Sequence, residues 1–173
     1  MKIWNIKEEK KHTSTDFGSW LGSLNLFSND KKEKFVAVGS WDEAKILYQK
    51  DYKIQKEFGK FDSTIVSLVT DDDGEFLLVG EKKGRITIWN IDDCNLRKTI
   101  EIGYPLNCLS YNNKYFMVIT VATEKGLLVK PLDIHDNNIA DVLLFQPKIN
   151  ISCLSLAWDL HSRFNTIYNV LIY

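Results

Sequence analysis

The sequence is poor in cysteine and has no paired cysteine motif. Its three cysteines, Cys94, Cys108 and Cys153, are far apart and have neither CxxC nor Cys/His ligand spacing. An odd number of isolated thiols argues against a disulfide framework and against a zinc site of the usual spacing. We therefore expect no metal, and we expect the chain in the reducing cytoplasm.

Long hydrophobic runs are also missing. The longest apolar stretch, residues 115–122, is far shorter than the roughly 18 residues that a membrane-spanning helix needs. Met1 is not followed by the apolar segment of a secretion signal. The sequence therefore predicts no contact with a membrane.

Neither sign of charge is in excess. The chain has 22 Lys and Arg against 23 Asp and Glu, which gives a net charge of -1. Bulk electrostatics thus give no attraction to nucleic acid, so any contact with phosphates needs a local basic patch. With 173 residues, 45% of them hydrophobic, the chain is long enough to form one globular domain.

Catalytic motifs are absent as well. His12, His135 and His161 have no Ser, Cys or Asp at a motif spacing, and the sequence contains neither GxSxG nor HExxH. Gly80 and Gly84 flank Glu-Lys-Lys, which is not the spacing of a phosphate-binding loop. We predict that the chain is not an enzyme and needs no cofactor, with a propeller hydrolase as the rival interpretation.

Short apolar or alternating runs recur between polar turns, and this pattern predicts β-strands. The runs are residues 20–27, 35–39, 46–48, 65–69, 76–79, 86–89, 106–109 and 115–121. The turns "TDDDGEF" (70–76) and "GEKKGRI" (80–86) supply the residues that hairpins need. Asp71, Asp72 and Asp73 are consecutive, whereas an EF-hand places its acids at alternating positions, so we favour a hairpin turn over a calcium site.

The strand ends repeat with a period near 42 residues. Trp4, Tyr48, Trp89, Pro131 and Tyr173 fall in one column, with separations of 44, 41, 42 and 42 residues. Such periods, with four strands in each, are typical of WD-repeat β-propeller blades. Each unit has an outer, an inner, a second and a third strand, for instance residues 53–58, 63–70, 76–80 and 84–89.

This period divides the chain, taken as a single propeller segment (1–173), into about four blades. An orphan third strand (1–6) is followed by blades at 7–50, 51–91 and 92–132 and by a degenerate terminal blade at 133–173. A seven-bladed ring of this period would need roughly 300 residues. We therefore expect an all-β segment from the end of the third blade to the seventh. Because open sheet edges invite pairing, we expect N-terminal blades that are part of a longer chain, are supplied by a separate chain or were lost when the gene was delimited.

Several stretches resemble one family of WD-repeat proteins. "WLGSLNLFSN", "GSWDEAKI", "LNCLSYNNKYF" and "SLAW" are similar, in order and over nearly the whole chain, to the receptor for activated C kinase family, the Gβ-like scaffold of the small ribosomal subunit. The resemblance implies a non-catalytic scaffold, cytoplasmic and ribosome-associated, on the small (40S) subunit. Its implied partners are small-subunit ribosomal proteins, 18S-type rRNA, translation factors and protein kinases. The alternative is a non-ribosomal WD-repeat adaptor or a Gβ-like complex subunit.

The sequence departs from the WD pattern at its polar positions. The histidine that usually precedes the inner strand is missing, and the turn aspartate survives only as Asp42 in "SWDEA". We expect the blades to rely on apolar stacking instead. The basic turn with which the family grips rRNA belongs to the first blade, which this chain does not contain.

Lys82, Lys83 and Arg85 are candidate phosphate-binding residues, because their turn is equivalent to the family's basic one. Lys125 repeats the position one blade on. A solvated turn is the alternative interpretation of this patch.

Aromatic residues, one aspartate and one glycine form the second set of candidates. We predict that Trp20, Trp41, Trp89 and Trp158 fill the core between blades and do not face a ligand. Tyr115 fits packing better than a modification site. The structural positions are Trp4, Asp42, Tyr48, Gly84, Trp89 and Trp158.

Overall fold

The computed structural model describes residues 1–5, 7–14, 17, 19–112, 118–123, 125–131, 142–145, 151–153 and 171–172. All regular elements in these ranges are β-strands. They are β1 (Lys2–Asn5), β2 (Lys10–Ser14), β3 (Leu21–Ser28), β4 (Lys34–Ser40), β5 (Ala44–Tyr48), β6 (Ile54–Phe58), β7 (Ile65–Thr70), β8 (Phe76–Glu81), β9 (Arg85–Asn90), β10 (Leu96–Glu101), β11 (Leu106–Asn112), β12 (Val118–Thr123), β13 (Gly126–Pro131), β14 (Val142–Phe145), β15 (Ile151–Cys153) and β16 (Leu171–Ile172). Among the described residues, no helix is long and apolar enough to cross a bilayer.

Twelve of these strands form three antiparallel four-stranded sheets. The first sheet has the order β3-β4-β5-β6, the second β7-β8-β9-β10 and the third β11-β12-β13-β14. Two-stranded pairs, β1-β2 and β15-β16, precede and follow them. Each sheet is a meander of strands in chain order, which is the arrangement of a propeller blade.

The sheets are offset by one strand from the units into which we divided the sequence. β6 pairs with β5 and β10 pairs with β9, so each outer strand belongs to the sheet that precedes it in the chain. The linkers on the two sides of β10 are similarly short, 91–95 before it and 102–105 after it, so turn length does not decide which sheet an outer strand joins. The loop after each outer strand then crosses to the inner strand of the next sheet and links the two blades covalently.

Neighbouring sheets pack through apolar faces. The leading face of a sheet is the one turned towards the preceding sheet, and in the second sheet it carries Leu68, Leu77 and Val79. These side chains pack on Ala37 and Ile46, on the trailing face of the first sheet. The second and third sheets pack in the same way, which confirms that apolar stacking holds the blades together.

A glycine on the second strand makes close packing of the sheets possible. A Cβ atom at Gly39 would lie 2.6 Å from Ile65 Cγ2 and 3.1 Å from Leu68 Cδ1. A Cβ atom at Gly80 would lie 2.4 Å from Leu109 Cδ2. Inner-strand side chains of one sheet therefore fill the space over the glycine of the preceding sheet.

An inner-strand serine adds a polar contact at each of these interfaces. The N–H of Leu68 donates to Ser23 Oγ at 2.9 Å, and the N–H of Leu109 donates to Ser67 Oγ at 3.2 Å. The two bonds show that Ser23 is equivalent to Ser67 and that Leu68 is equivalent to Leu109.

The column of strand ends predicted from the repeat does not hold at Tyr48 and Pro131. In the strand pairing, each of these residues is displaced by one position relative to Trp89. Trp89 pairs with Leu77, whereas Tyr48 pairs with Phe35. The equivalent of Leu77 in the first sheet is Val36, whose partner is Leu47. Four residues separate the paired residues Gly39 and Ala44, one fewer than separate Gly80 and Ile86, so Tyr48 lies on the opposite face of its sheet from Trp89. Pro131 of the third sheet is displaced in the same way, and Tyr173 lies outside the described residues.

The three consecutive aspartates lie in the hairpin turn between β7 and β8, as predicted. The N–H of Phe76 donates to Asp71 Oδ1 at 2.9 Å, and Gly74 has a positive φ of 69°. No group of three or more His, Cys, Asp and Glu side chains in the described ranges could hold a metal ion.

Candidate protein-docking surface

One end of the segment is formed by turns and loops from successive sheets, and we call it the upper surface. It consists of the turns between second and third strands (40–43 and 81–84, with Lys125 in the third sheet) and of the loops before inner strands (59–64 and 102–105). Loops of this kind are the parts of a propeller that a rigid scaffold presents to partners.

Hydrogen bonds tie each upper turn to the loop of the next sheet. The N–H of Ile65 donates to the carbonyl of Trp41, and the N–H of Leu106 donates to the carbonyl of Lys82. The N–H of Lys82 donates to the carbonyl of Thr64 at 2.8 Å. The first two bonds cross from sheet to sheet, whereas the third joins the turn to the loop before β7 of its own sheet, so the turns are held at fixed separations.

Glu81 anchors the middle of the upper surface, and sequence reasoning missed it. Its side chain is 1% exposed, and Oε2 accepts the N–H groups of Asp62 at 2.9 Å and of Ser63 at 3.0 Å. A buried carboxylate that accepts two backbone donors fixes the loop before β7. Glu81 thus anchors the loop by polar contacts in a repeat that lacks the histidine before the inner strand and the turn aspartate of the usual WD pattern.

The upper surface exposes aromatic side chains. The indole of Trp41 is 61% exposed and Tyr104 is 44% exposed. Trp20, immediately before β3, is 66% exposed. The prediction that tryptophans fill the core is therefore wrong for Trp20 and Trp41. The reason is that both lie beyond the strand ends, where none of the described sheets covers them.

The four candidate basic residues differ in their surroundings. Lys82 and Lys83 are exposed on the upper surface, and Lys82 Nζ donates to Asn107 Oδ1 at 3.3 Å. Lys125 is exposed in the corresponding turn of the third sheet.

Arg85 is held by two carboxylates. Its guanidinium pairs with Asp62, and its Nε donates to Glu101 Oε1 at 2.9 Å. These bonds raise the pKa of Arg85, Asp62 first and Glu101 second. Because its charge is matched locally, Arg85 has less capacity than Lys83 or Lys125 to bind a phosphate.

The residues that we predicted to be structural lie in different surroundings. Asp42 is exposed on the upper surface, where its carbonyl accepts the N–H of Phe61 at 3.2 Å. Gly84 has a φ of 95° in the turn before β9. Trp89 is half-buried, and the ring of Tyr48 is tilted against that of Phe35, with centroids 5.5 Å apart. Only the backbone of Trp4 is described, in β1. Trp158 and Tyr115 lie outside the described residues.

The opposite, lower end has a groove of about 410 Å³ between the β3–β4 turn and the β5–β6 turn of the first sheet. Its lining residues are Lys32, Glu33, Lys34, Tyr48, Gln49, Lys50 and Tyr52. Sequence reasoning missed this groove because its lysines come from separate turns, 29–33 and 49–53, that only the first sheet brings together.

The carboxyl group of Asp71, in the turn between β7 and β8, has a raised pKa. Burial raises its pKa above the ordinary 3.8, although the N–H groups of Phe76 and Glu75 oppose this in part. The folded protein thus favours the protonated form, so ionised Asp71 weakens the fold above its folded pKa. This cost disappears as the pH falls towards 3.8.

The Asp71→Asn variant is expected to unfold at a higher urea concentration than the parent protein at pH 7. Asparagine keeps an acceptor oxygen for the N–H of Phe76 and cannot ionise. The difference should shrink as the pH falls towards 4, because the parent carboxyl then protonates. Urea unfolding of both proteins at several pH values measures this, and a difference that grows on acidification would contradict it.

Comparisons with known proteins agree with the sheet architecture. No protein-family model matches the chain, and no curated protein matches it. Among solved structures, it is similar to the crystal structure of the β-propeller domain of Myceliophteria thermophila Cps50 (Swd1), with a TM-score of 0.63 and 16% sequence identity. The match covers 76% of this chain and 41% of that one, so the chain spans less than half of the propeller chain it matches. The predicted all-β propeller fold is confirmed.

Proposed function

We propose that this protein is a non-catalytic docking platform that binds protein partners through its upper surface. The observation that carries the proposal is the exposure of Trp41, at 61%, on a turn bonded to the loop of the next sheet. Tryptophan is the residue most enriched at the centre of protein interfaces, and a fixed turn loses little entropy on binding.

The upper surface combines this aromatic side chain with charge of both signs. Lys82 and Lys83 lie on one side, and Asp42 is adjacent to Trp41. A mixed rim around an aromatic anchor is the usual anatomy of a protein interface. Several such contacts on one rigid surface add through effective concentration, so no single loop has to bind tightly.

We further propose that the platform works on the small ribosomal subunit. It rests on the sequence resemblance to the receptor for activated C kinase family, with ribosomal proteins, rRNA, translation factors and kinases as partners. Lys82, Lys83 and Lys125, exposed on one surface, support contact with rRNA phosphates. A non-ribosomal WD-repeat adaptor is the alternative, which the likeness to the Cps50 (Swd1) propeller supports at the level of fold.

Sedimentation of a native cell extract through sucrose gradients at low and high salt tests the ribosomal part. We expect the protein to migrate with small subunits at low salt and to dissociate at high salt, because phosphate contacts weaken with ionic strength. Migration as a free 20.0 kDa species at low salt would reject the ribosomal platform and favour the adaptor.

The Trp41→Ala variant tests the upper surface in the same gradients. We expect the fraction bound to small subunits to fall about tenfold, as for removal of an interface anchor. Leu96→Ala is the matched control, because Leu96 is a similarly exposed apolar residue (48%) on the outer strand β10. Equal binding of the two variants would show that the upper surface is not the docking surface.

A further inference from the structure

The groove at the lower end of the first sheet carries unmatched positive charge. Lys32, Lys34 and Lys50 line it, and all three side chains are exposed. None of them forms an ion pair with another residue that the structure describes. The two turns of the groove, residues 29–34 and 49–53, hold five lysines against three acidic residues. This excess of positive charge suits an anionic ligand.

The acidic side chains of the two turns are held by other groups or lie outside the groove. Glu33, which lines the groove, accepts the side-chain amide of Asn29 on Oε2 at 3.0 Å. Asp51 accepts the N–H of Lys53 on Oδ1 at 3.1 Å, and its Oδ2 lies 3.6 Å from Lys53 Nζ. Asp30 does not line the groove. The three groove lysines are therefore left for a ligand.

The backbone holds the two turns of the groove in place. The N–H of Gln49 donates to the carbonyl of Lys34 at 2.9 Å and joins one turn to the other. The N–H of Tyr52 donates to the carbonyl of Tyr48 at 2.7 Å and closes the second turn. The side chains of Tyr48 and Gln49 are half-buried in the groove lining. A preformed site of this kind loses little conformational entropy when a ligand binds.

The equivalent positions of the second sheet carry the opposite charge. There the same backbone bond runs from the N–H of Ile91 to the carbonyl of Glu75 at 2.8 Å, so Glu75 stands at the position of Lys34. The residue after Ile91 is Asp92, which likewise stands at the position of Lys50. Positive charge at these positions is thus a property of the first sheet and not of the repeat.

The acidic turns of the second sheet limit the length of an anionic ligand. Residues 71–75 and 91–95 hold six acidic residues and neither lysine nor arginine. These turns touch the first sheet, since a Cβ atom at Gly74 would lie 2.8 Å from the carbonyl oxygen of Ser28. A long polyanion such as a nucleic acid would be repelled as it left the groove on that side. A short anionic segment would not meet these carboxylates.

Exposure of the groove lysines is a property of the turns on which they lie. Glu75 and Asp92 are exposed although the first sheet packs against the second. A turn at this place therefore stays open to solvent when a sheet precedes its own. The same holds for Lys34 and Lys50, which occupy the equivalent positions.

We propose that the groove binds a short acidic segment of a partner protein, whose carboxylates pair with Lys32, Lys34 and Lys50. The volume of about 410 Å³ lies in the range of ligand pockets, roughly 300 to 1,000 Å³, and seats only a few side chains at a time. Tyr48 and Gln49 add a hydroxyl and an amide that can donate hydrogen bonds to a carboxylate or to the peptide backbone. The groove lies at the opposite end from the upper surface, so the proposal does not rest on the proposed function.

Fluorescence anisotropy with the full chain tests the proposal. The probe is a labelled peptide GSEEEEGS, and the uncharged peptide GSQQQQGS is its control. At low salt we expect the acidic peptide to bind at least about tenfold more tightly than the control. Its affinity should fall as salt is added, because exposed charge pairs are screened.

A double variant in the groove locates the binding. Lys34→Glu with Lys50→Asp introduces the residues that the second sheet already carries at these positions, so the turns should keep their conformation. We expect this variant to bind the acidic peptide at least about tenfold more weakly. Lys82→Glu with Lys83→Asp is the matched control, because it changes the net charge equally on the upper surface, and its affinity should stay within about threefold of the parent. Circular dichroism checks folding, and Lys34→Gln with Lys50→Gln replaces any groove variant that does not fold.

Competition with RNA separates a protein partner from a nucleic acid. We expect unlabelled single-stranded RNA to displace the labelled peptide at least about tenfold less effectively than unlabelled GSEEEEGS does. In the variant Glu75→Lys with Asp92→Lys, RNA should compete better than in the parent, because the repelling carboxylates are gone. The affinity for the acidic peptide should change by less than about threefold.

Four results would overturn the proposal. The acidic and uncharged peptides could bind equally, or the groove variant and the upper-surface variant could lose equal affinity, which would leave only bulk charge. RNA that competes as well as the acidic peptide would make a nucleic acid the occupant. A dimer in analytical ultracentrifugation that Lys34→Glu with Lys50→Asp dissociates would make a second copy of the chain the occupant.

Discussion

Replacing Trp89 by alanine is expected to lower the free energy of unfolding by about 3 to 5 kcal/mol, the range for removing a large aromatic side chain from a core. The indole packs edge-on against Phe58 and Phe61, with ring centroids 6.1 Å and 5.9 Å away. Its Nε1 donates to Thr87 Oγ1 at 2.9 Å. The substitution therefore removes the contact that joins the second sheet to the loop after β6.

Trp41→Ala is the matched control for this prediction, since it removes the same atoms from an exposed place. Its effect on the free energy of unfolding should stay within about 0.5 kcal/mol. Urea unfolding of both variants, followed by circular dichroism, measures the two values. A cost below about 1 kcal/mol for Trp89→Ala would mean that the indole is not packed between the sheets.

Gly84→Ala is expected to destabilise the protein by about 3 kcal/mol or more, because strain and overpacking add at this position. Gly84 has a φ of 95°, a conformation that residues with a Cβ rarely adopt. The new Cβ would also lie 2.2 Å from the carbonyl oxygen of Tyr104 and 2.9 Å from its carbonyl carbon. Backbone atoms cannot turn aside as a flexible side chain can, so the turn and the loop before β11 must separate.

Gly103→Ala separates the two contributions. Gly103 has a φ of 78°, but a Cβ there would meet nothing within 4 Å. Its cost should be the backbone strain alone, about 1 to 2 kcal/mol. If thermal and urea unfolding gave equal losses for the two glycine variants, the close contact between the upper turn and Tyr104 would be refuted.

The strands were predictable because their pattern is local. Alternation of apolar and polar residues marks a strand with one buried face, and Asp, Lys and Gly at the turns mark hairpins. Residues 76–79 were predicted as a strand and lie within β8, and the turn that contains Gly84 was predicted as a hairpin. The period near 42 then led to repeated four-stranded sheets, since each repeat needs its neighbours to bury its faces.

The candidate site was less predictable because exposure and pairing are not local. Trp41 was expected in the core, since tryptophan usually is buried, and only its place beyond the end of β4 leaves it open to solvent. Arg85 was grouped with Lys82 and Lys83, but Asp62 and Glu101 reach it from distant loops and strands. Charge matching of this kind depends on distances in space that sequence spacing does not contain.

The sequence by itself determined the strands, the hairpin turns and the repeat, because these follow from side-chain alternation and from backbone preferences of neighbouring residues. The tertiary structure alone decided which sheet each outer strand joins and which aromatic residues stay exposed. It also decided that Glu81 anchors the loop before β7. Those properties arise when separate sheets pack face to face, and the free energy of that packing belongs to pairs of residues far apart in the chain.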